Sequence, residues 1–146
     1  MRGVVQRVSY ASVLVDGLVR ASIGRGFCLL LAVARDDGEE DVGWMVDKVL
    51  NLRIFEDDRG KMGRSLLDVG GELLVVSQFT LYGDCRRGRR PSFDASAPPE
   101  LGRALYQRFV EVASARVPVK VGEFGAHMEV RIHNDGPVTI ILDSRW

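Results

Sequence analysis

Cysteine and histidine are scarce in this 146-residue chain, with two of each. No CxxC pair and no Cys/His cluster occurs, which argues against the common zinc spacings and a disulfide framework. Net charge is missing as well. Twenty Lys+Arg balance twenty Asp+Glu, so contact with any polyanion must come from a local patch. Long hydrophobic runs are also absent. The longest uncharged apolar stretch, Gly26 to Ala34 (GFCLLLAVA), is well short of the about 20 residues needed to span a bilayer. The opening MRGVVQRVSY carries Arg2 and Arg7 but no apolar segment ending in a small-residue cleavage site, so no signal peptide is expected. GxSxG, HExxH and GK[ST] do not occur, which removes the usual hydrolase and nucleotide-loop signatures. The expectation is a reduced, cytoplasmic, non-membrane protein with no metal site and no cofactor.

What is present reads as one domain covering residues 1–146. Hydrophobic residues make up 46% of the chain, enough for a core without staples. Val13 and Val15 alternate with Ser12, Leu14 and Asp16, and Asp16-Gly17 signals a hairpin into Leu18–Ile23. Phe27–Ala34 is apolar on both faces and reads as a central strand. Val42, Met45, Val46, Val49 and Leu50 fall at helical spacing behind an acidic start. Leu101, Leu105, Phe109 and Val112 predict a second helix, with Pro98 and Pro99 in its first turn. Arg53–Glu56, Glu72–Leu81, Val117–Phe124, Met128–Ile132 and Val138–Leu142 are the remaining strand candidates. About eight strands and two main helices, without strict βαβ alternation, predict an α+β fold with a largely antiparallel, barrel-like sheet.

Four features carry candidate chemistry. Ser77, Gln78, Phe79 and Thr80 interrupt an apolar strand with polar groups. Either they open into a pocket, or alternation turns them to solvent. Asn134-Asp135-Gly136-Pro137-Val138-Thr139 contains Gly-Pro between two strand candidates. It reads as a plain hairpin turn or as a special X-Pro site. Arg86, Arg87, Arg89 and Arg90 crowd one loop, either as a phosphate-binding patch or as a solvated charge run. His127 and His133 lie six residues apart, roughly 20 Å along a strand, which is too far for one metal.

Together these segments resemble the D-aminoacyl-tRNA deacylase family. SQFTL at Ser77–Leu81 is similar to one family motif, and NDGPVT at Asn134–Thr139 to the other. MRGVVQRV, LNLRIFEDDRGKM, LYGD with GRRPSF, and GEFGAHMEV extend the similarity end to end. His133 and Cys85 depart from the commoner residues at their positions.

The resemblance implies a chiral-proofreading hydrolase that cleaves the ester of D-aminoacyl-tRNA and spares the L form. It implies a homodimer with the active site at the interface, into which a cis Gly136-Pro137 is inserted. Carbonyls there would contact the α-amino group, and an L side chain would strike backbone. Glycine has no side chain and would enter, so glycyl-tRNA is an expected second substrate. Ser77, Gln78 and Thr80 are the catalytic candidates. Ser77 and the backbone N–H groups near Phe79 and Thr80 would orient the ester carbonyl or its oxyanion. Gln78 and Phe79 would hold the terminal adenosine or shape the pocket. Thr80 lacks an obvious base, so water assisted by the ribose 2′-hydroxyl is the favoured nucleophile. Arg7 and Met128 would brace the Gly-Pro segment and line the pocket, and the four arginines would contact tRNA. Two alternatives remain: an esterase of free D-amino-acid or small esters, and a non-catalytic RNA-binding or DNA-unwinding module.

Overall fold

The structure is a computed structural model that describes residues 1–146. Its strands are β1 (Arg2–Val15), β2 (Leu18–Ile23), β3 (Gly26–Ala32), β4 (Phe55–Glu56), β5 (Met62–Arg64), β6 (Glu72–Ser77), β7 (Val119–Val121) and β8 (Glu129–Asp143). Its helices are α1 (Glu39–Asn51), α2 (Leu66–Val69) and α3 (Pro99–Ser114), with a 3-10 turn at Phe79–Tyr82.

The long strand β1 is the axis. Along one edge its first half pairs with β3 and its last residues pair with β2, both antiparallel. Along the other edge it pairs antiparallel with β8 over most of its length. The β1–β2 hairpin closes through Asp16 and Gly17, whose φ angles of 52° and 77° suit a tight turn of the primed type. Beyond β3 the sheet continues through β6 and β7, and β2 lies against both, so the sheet curls toward a barrel.

Two buried clusters result. Val8, Ala11, Val13, Ile23, Cys28, Leu74 and Val76 fill the inside of the curl. On the opposite sheet face, Val5, Phe27, Leu29 and Leu31 meet α1 and α3. All five apolar positions predicted for the first helix are buried there, as are Leu105 and Phe109 of α3. The α+β class, the mainly antiparallel pairing and the two main helices therefore stand.

Four local expectations change. First, the β3–β6 and β6–β7 pairs are parallel. Each needs a long crossover, and α1 and α3 supply them. Second, the predicted strand Glu72–Leu81 ends at Ser77. The Gln78 N–H donates to Leu31 O, the neighbouring strand ends at Ala32, and the backbone then turns at Gln78. Third, β5 matches no strand candidate, being three residues whose only strand partner is β4. A short α2 is also present, closed by reciprocal Ser65–Asp68 capping and left-handed Gly70.

Fourth, no hairpin separates the last two strand candidates. They are one strand, β8, running along β1 in a single direction. The register passes from Gln6↔Thr139 to Val8↔Asn134, so residues 135–138 bulge out. Pro137 has no N–H to give the ladder, which suits it to a bulge. The Asn134 side-chain amide donates to Arg7 O and to Val138 O, each at 3.0 Å, and bridges the gap. The Gly136–Pro137 peptide is cis.

Candidate active site

A cavity of about 740 Å³ opens at the C-terminal ends of β3 and β6. Ser77, Gln78, Phe79 and Met128, from the sequence-based set, line it. Ser77 is half-buried at the end of β6, and its hydroxyl has no hydrogen-bond partner within the chain. The exposed Phe79 starts the 3-10 turn and meets Phe93 edge-on at 5.1 Å. Ser96 Oγ donates to Phe79 O at 3.2 Å, tying the turn to the segment that crosses the cavity rim. At the other end of the turn, Arg2 Nη1 donates to Leu81 O, and its guanidinium carbon stands 4.7 Å from the Tyr82 ring centroid. Burial pushes the Tyr82 hydroxyl pKa up, helped by Asp143 and Asp37.

The backbone donors divide clearly. The Gln78 N–H is used in the sheet. The N–H groups of Phe79 and Thr80 open the turn, where no preceding turn carbonyl is available to them. Thr80 is exposed and is not part of the cavity lining. Its hydroxyl accepts a hydrogen bond from the Gln78 side-chain amide at 2.6 Å. Alternation would place Gln78 and Thr80 together on a strand face; here the turn brings them together.

Met128 Sδ accepts from Glu123 N at 3.4 Å and packs so close to Gly122 that a Cβ there would lie 2.7 Å from the sulfur. Sequence reasoning missed Phe93 and Ser96, which lie in an irregular segment, and Phe124, because the strand candidate Val117–Phe124 contracts to β7 and leaves Phe124 in the turn beyond it. His127 also lines the cavity, whereas His133 stacks edge-on against Tyr10 at 5.4 Å, outside it.

Arg7, Gly136 and Pro137 lie elsewhere. The buried Arg7 guanidinium donates to Ile54 O at 2.6 Å and to Asp135 O at 3.3 Å. Gly136 has φ +120°, and a Cβ there would sit 2.9 Å from Arg7 Nη2 and 2.9 Å from Val138 Cγ2. Strand pairings place Ser77 level with Gly3, four residues along β1 from Arg7, and three strand spacings from β8. Within one chain the two motifs are therefore roughly 20 Å apart.

The arginine loop grows from the cavity rim and is closed by paired backbone hydrogen bonds between Asp84 and Ser92. Arg86 is not free. Its guanidinium grips the Asp84 carboxylate at 2.7 and 2.9 Å, holding that carboxyl down to about 2. Arg87, Arg89 and Arg90 are exposed and have no carboxylate partner.

Fold and cavity define a small α+β protein that presents a serine and adjacent backbone donors at the mouth of a largely apolar cleft. The model of the family described as D-Tyr-tRNA(Tyr) deacylase matches residues 4–143. The chain is 59% identical over 145 residues to a D-aminoacyl-tRNA deacylase of Kosmotoga olearia, covering 99% of this chain and 98% of that protein. It is also 59% identical over 145 residues to one of Clostridioides difficile, covering 99% and 97%. Among solved structures it resembles a c-Myc DNA unwinding element binding protein, with TM-score 0.94, 45% identity and 99% of both chains covered. A probable eukaryotic D-amino acid tRNA deacylase shares the fold, with TM-score 0.80, 22% identity and 97% of both chains covered. The chain belongs to the D-Tyr-tRNA(Tyr) deacylase family, a family of hydrolases.

Proposed function

We propose that this protein hydrolyses the ester between a D-amino acid and the 3′-terminal adenosine of tRNA in the cytoplasm. It releases free D-amino acid and tRNA and spares L-aminoacyl-tRNA. The observation that carries this reading is the separation of the two motifs. Ser77 to Phe79 border the cavity, while Gly136 and Pro137 stand exposed on a bulge roughly 20 Å away. The bulge reaches a cavity only if a second copy supplies it, so the working unit in this reading is a homodimer.

In that unit the ester carbonyl lies against Ser77, with its oxygen toward the Phe79 and Thr80 N–H groups. Water attacks the carbonyl carbon, and the tetrahedral oxyanion is stabilised by those donors. The ester C–O bond then breaks. The ribose 2′-oxygen takes a proton from the attacking water as its hydroxyl passes its own to the departing 3′-oxygen, so the 2′-hydroxyl is regenerated. Gln78, held by its bond to Thr80, and Phe79 frame the adenosine, and Met128 forms a wall. Backbone at Gly136–Pro137 leaves no space for an L side chain, while glycine enters and glycyl-tRNA is cleaved. The substrate is already an activated ester, so positioning supplies much of the acceleration.

Release of amino acid from D-tyrosyl-, L-tyrosyl- and glycyl-tRNA, with chelator present, tests this. D-tyrosine and glycine should be freed and L-tyrosine retained. Equal cleavage of D and L would remove the Gly136–Pro137 filter. Cleavage of small D-amino-acid esters as fast as the tRNA-linked form would favour the plain esterase. A non-catalytic nucleic-acid module is the second reading, favoured by the likeness to the DNA unwinding element binding protein. It accounts for the arginine loop but gives the cavity no task. Nucleic-acid binding with no cleavage of any ester would establish it instead.

A further inference from the structure

We propose that Arg103 is a phosphate anchor beside the cavity, binding a backbone phosphate of the tRNA 3′ end as the aminoacylated nucleoside enters past Phe124. The inference rests on the deacylase reading. Several arginines are engaged with carboxylates: Arg86 with Asp84, Arg108 with Glu39 and Glu111, Arg131 with Glu129. Arg103, on the first turns of α3, is exposed and makes no ion pair. Its guanidinium carbon stands 4.6 Å from the centroid of Phe124, a residue of the cavity wall. Phe124 in turn packs on Tyr106 at 5.7 Å, and the buried Tyr106 hydroxyl donates to Val75 O at 3.0 Å. Val75 precedes Ser77 by two residues on β6.

A chain of contacts thus links the strand that presents Ser77 to one guanidinium at the cavity wall. Stacking uses the face of the guanidinium and leaves its in-plane N–H donors free. That fork matches the oxygens of a phosphodiester, the anion that accompanies a tRNA end. Arg103 is a positioning residue in this account, since it holds the polynucleotide and not the ester.

The test compares three D-tyrosyl esters: of tRNA, of the dinucleotide CpA, which has one phosphodiester, and of adenosine, which has none. Arg103→Gln should raise KM for the first two by about tenfold, with kcat nearly unchanged. The adenosine ester should be cleaved as by wild type. Arg103→Lys should recover part of the loss, because it keeps the charge without the fork. Arg116→Gln, just beyond the far end of α3 and roughly 20 Å away, should match wild type on all three. Equal KM loss on the adenosine ester would overturn the proposal by making Arg103 a cavity-wall support. Unchanged kinetics on every ester would overturn it too. A wild-type protein that cleaves none of the three would bring down the deacylase reading, and this inference with it.

Discussion

The side-chain amide of Gln78 donates to the hydroxyl of Thr80 at 2.6 Å, so Thr80 Oγ1 is engaged as an acceptor three residues beyond Ser77. No imidazole, carboxylate or amine is hydrogen-bonded to that hydroxyl, so nothing draws off its proton. Thr80→Val should therefore lower kcat/KM for D-tyrosyl-tRNA only by about 2- to 12-fold, the range of one lost hydrogen bond. Loss of several orders of magnitude with folding and tRNA binding intact would make Thr80 the nucleophile.

Arg7 satisfies the buried Ile54 carbonyl and braces the bulge at Asp135. Arg7→Met fills similar space but leaves that carbonyl unpaired, at a cost of about 1–3 kcal/mol. Denaturant unfolding should show this loss. D/L discrimination should fall as well, because the bulge loses its support. A variant as stable and as selective as wild type would contradict the brace.

The arginine loop should act unevenly. Arg87, Arg89 and Arg90 are free to meet phosphates, whereas Arg86 is already paired with Asp84. Each phosphate contact removed should flatten the log–log salt dependence of tRNA binding by roughly 0.7–0.9. Substituting Arg87, Arg89 and Arg90 by Gln should change the slope clearly, and Arg86→Gln should change it less. An unchanged slope for the triple variant would exclude the loop from the interface.

The two cysteines should differ in reactivity. Cys28 is fully buried inside the curled sheet, and burial pushes its thiol up to about 12, whereas Cys85 is exposed. A thiol reagent at pH 8 should label Cys85 alone in the native protein and both after unfolding. Rapid native labelling of Cys28 would show that the interior opens. Because the folded value is the higher one, Cys28 contributes stability below the unfolded thiol value of about 8.5, and that contribution is lost as pH rises beyond it.

Acid should unfold the protein partly through Asp41. Burial works to raise its pKa. The Ser144 hydroxyl, the Gly38 N–H, the Met1 ammonium and Arg145 outweigh that and hold it below the ordinary carboxylate range. A depressed folded value means its stabilisation is present above about pH 3.9 and is lost as pH falls through the folded value. Thermal melts between pH 7 and pH 2.5 should show Asp41→Asn less stable at neutrality, with a shallower acid decline. An identical acid decline would remove Asp41 as a source.

Much of this protein was legible in its sequence because the relevant signals are local. Helical spacing at Val42–Leu50 placed α1, since one apolar stripe has only one way to be buried. Asp16-Gly17 placed a hairpin, because such a pair tolerates positive φ. Ser77 to Thr80 stood out because polar groups in an apolar run need a reason. Other features were decided only by tertiary structure. Strand β6 ends at Ser77 because its neighbour ends at Ala32, which no local pattern records. Residues 129–143 form one bulged strand because β1 is long enough to pair on both sides of Gly136–Pro137. Arg86 differs from Arg87, Arg89 and Arg90 because loop closure sets Asp84 against it. Phe93 and Phe124 reach the cavity through long-range crossovers, and the free energy of such contacts depends on which segments meet in space, not on their spacing along the chain.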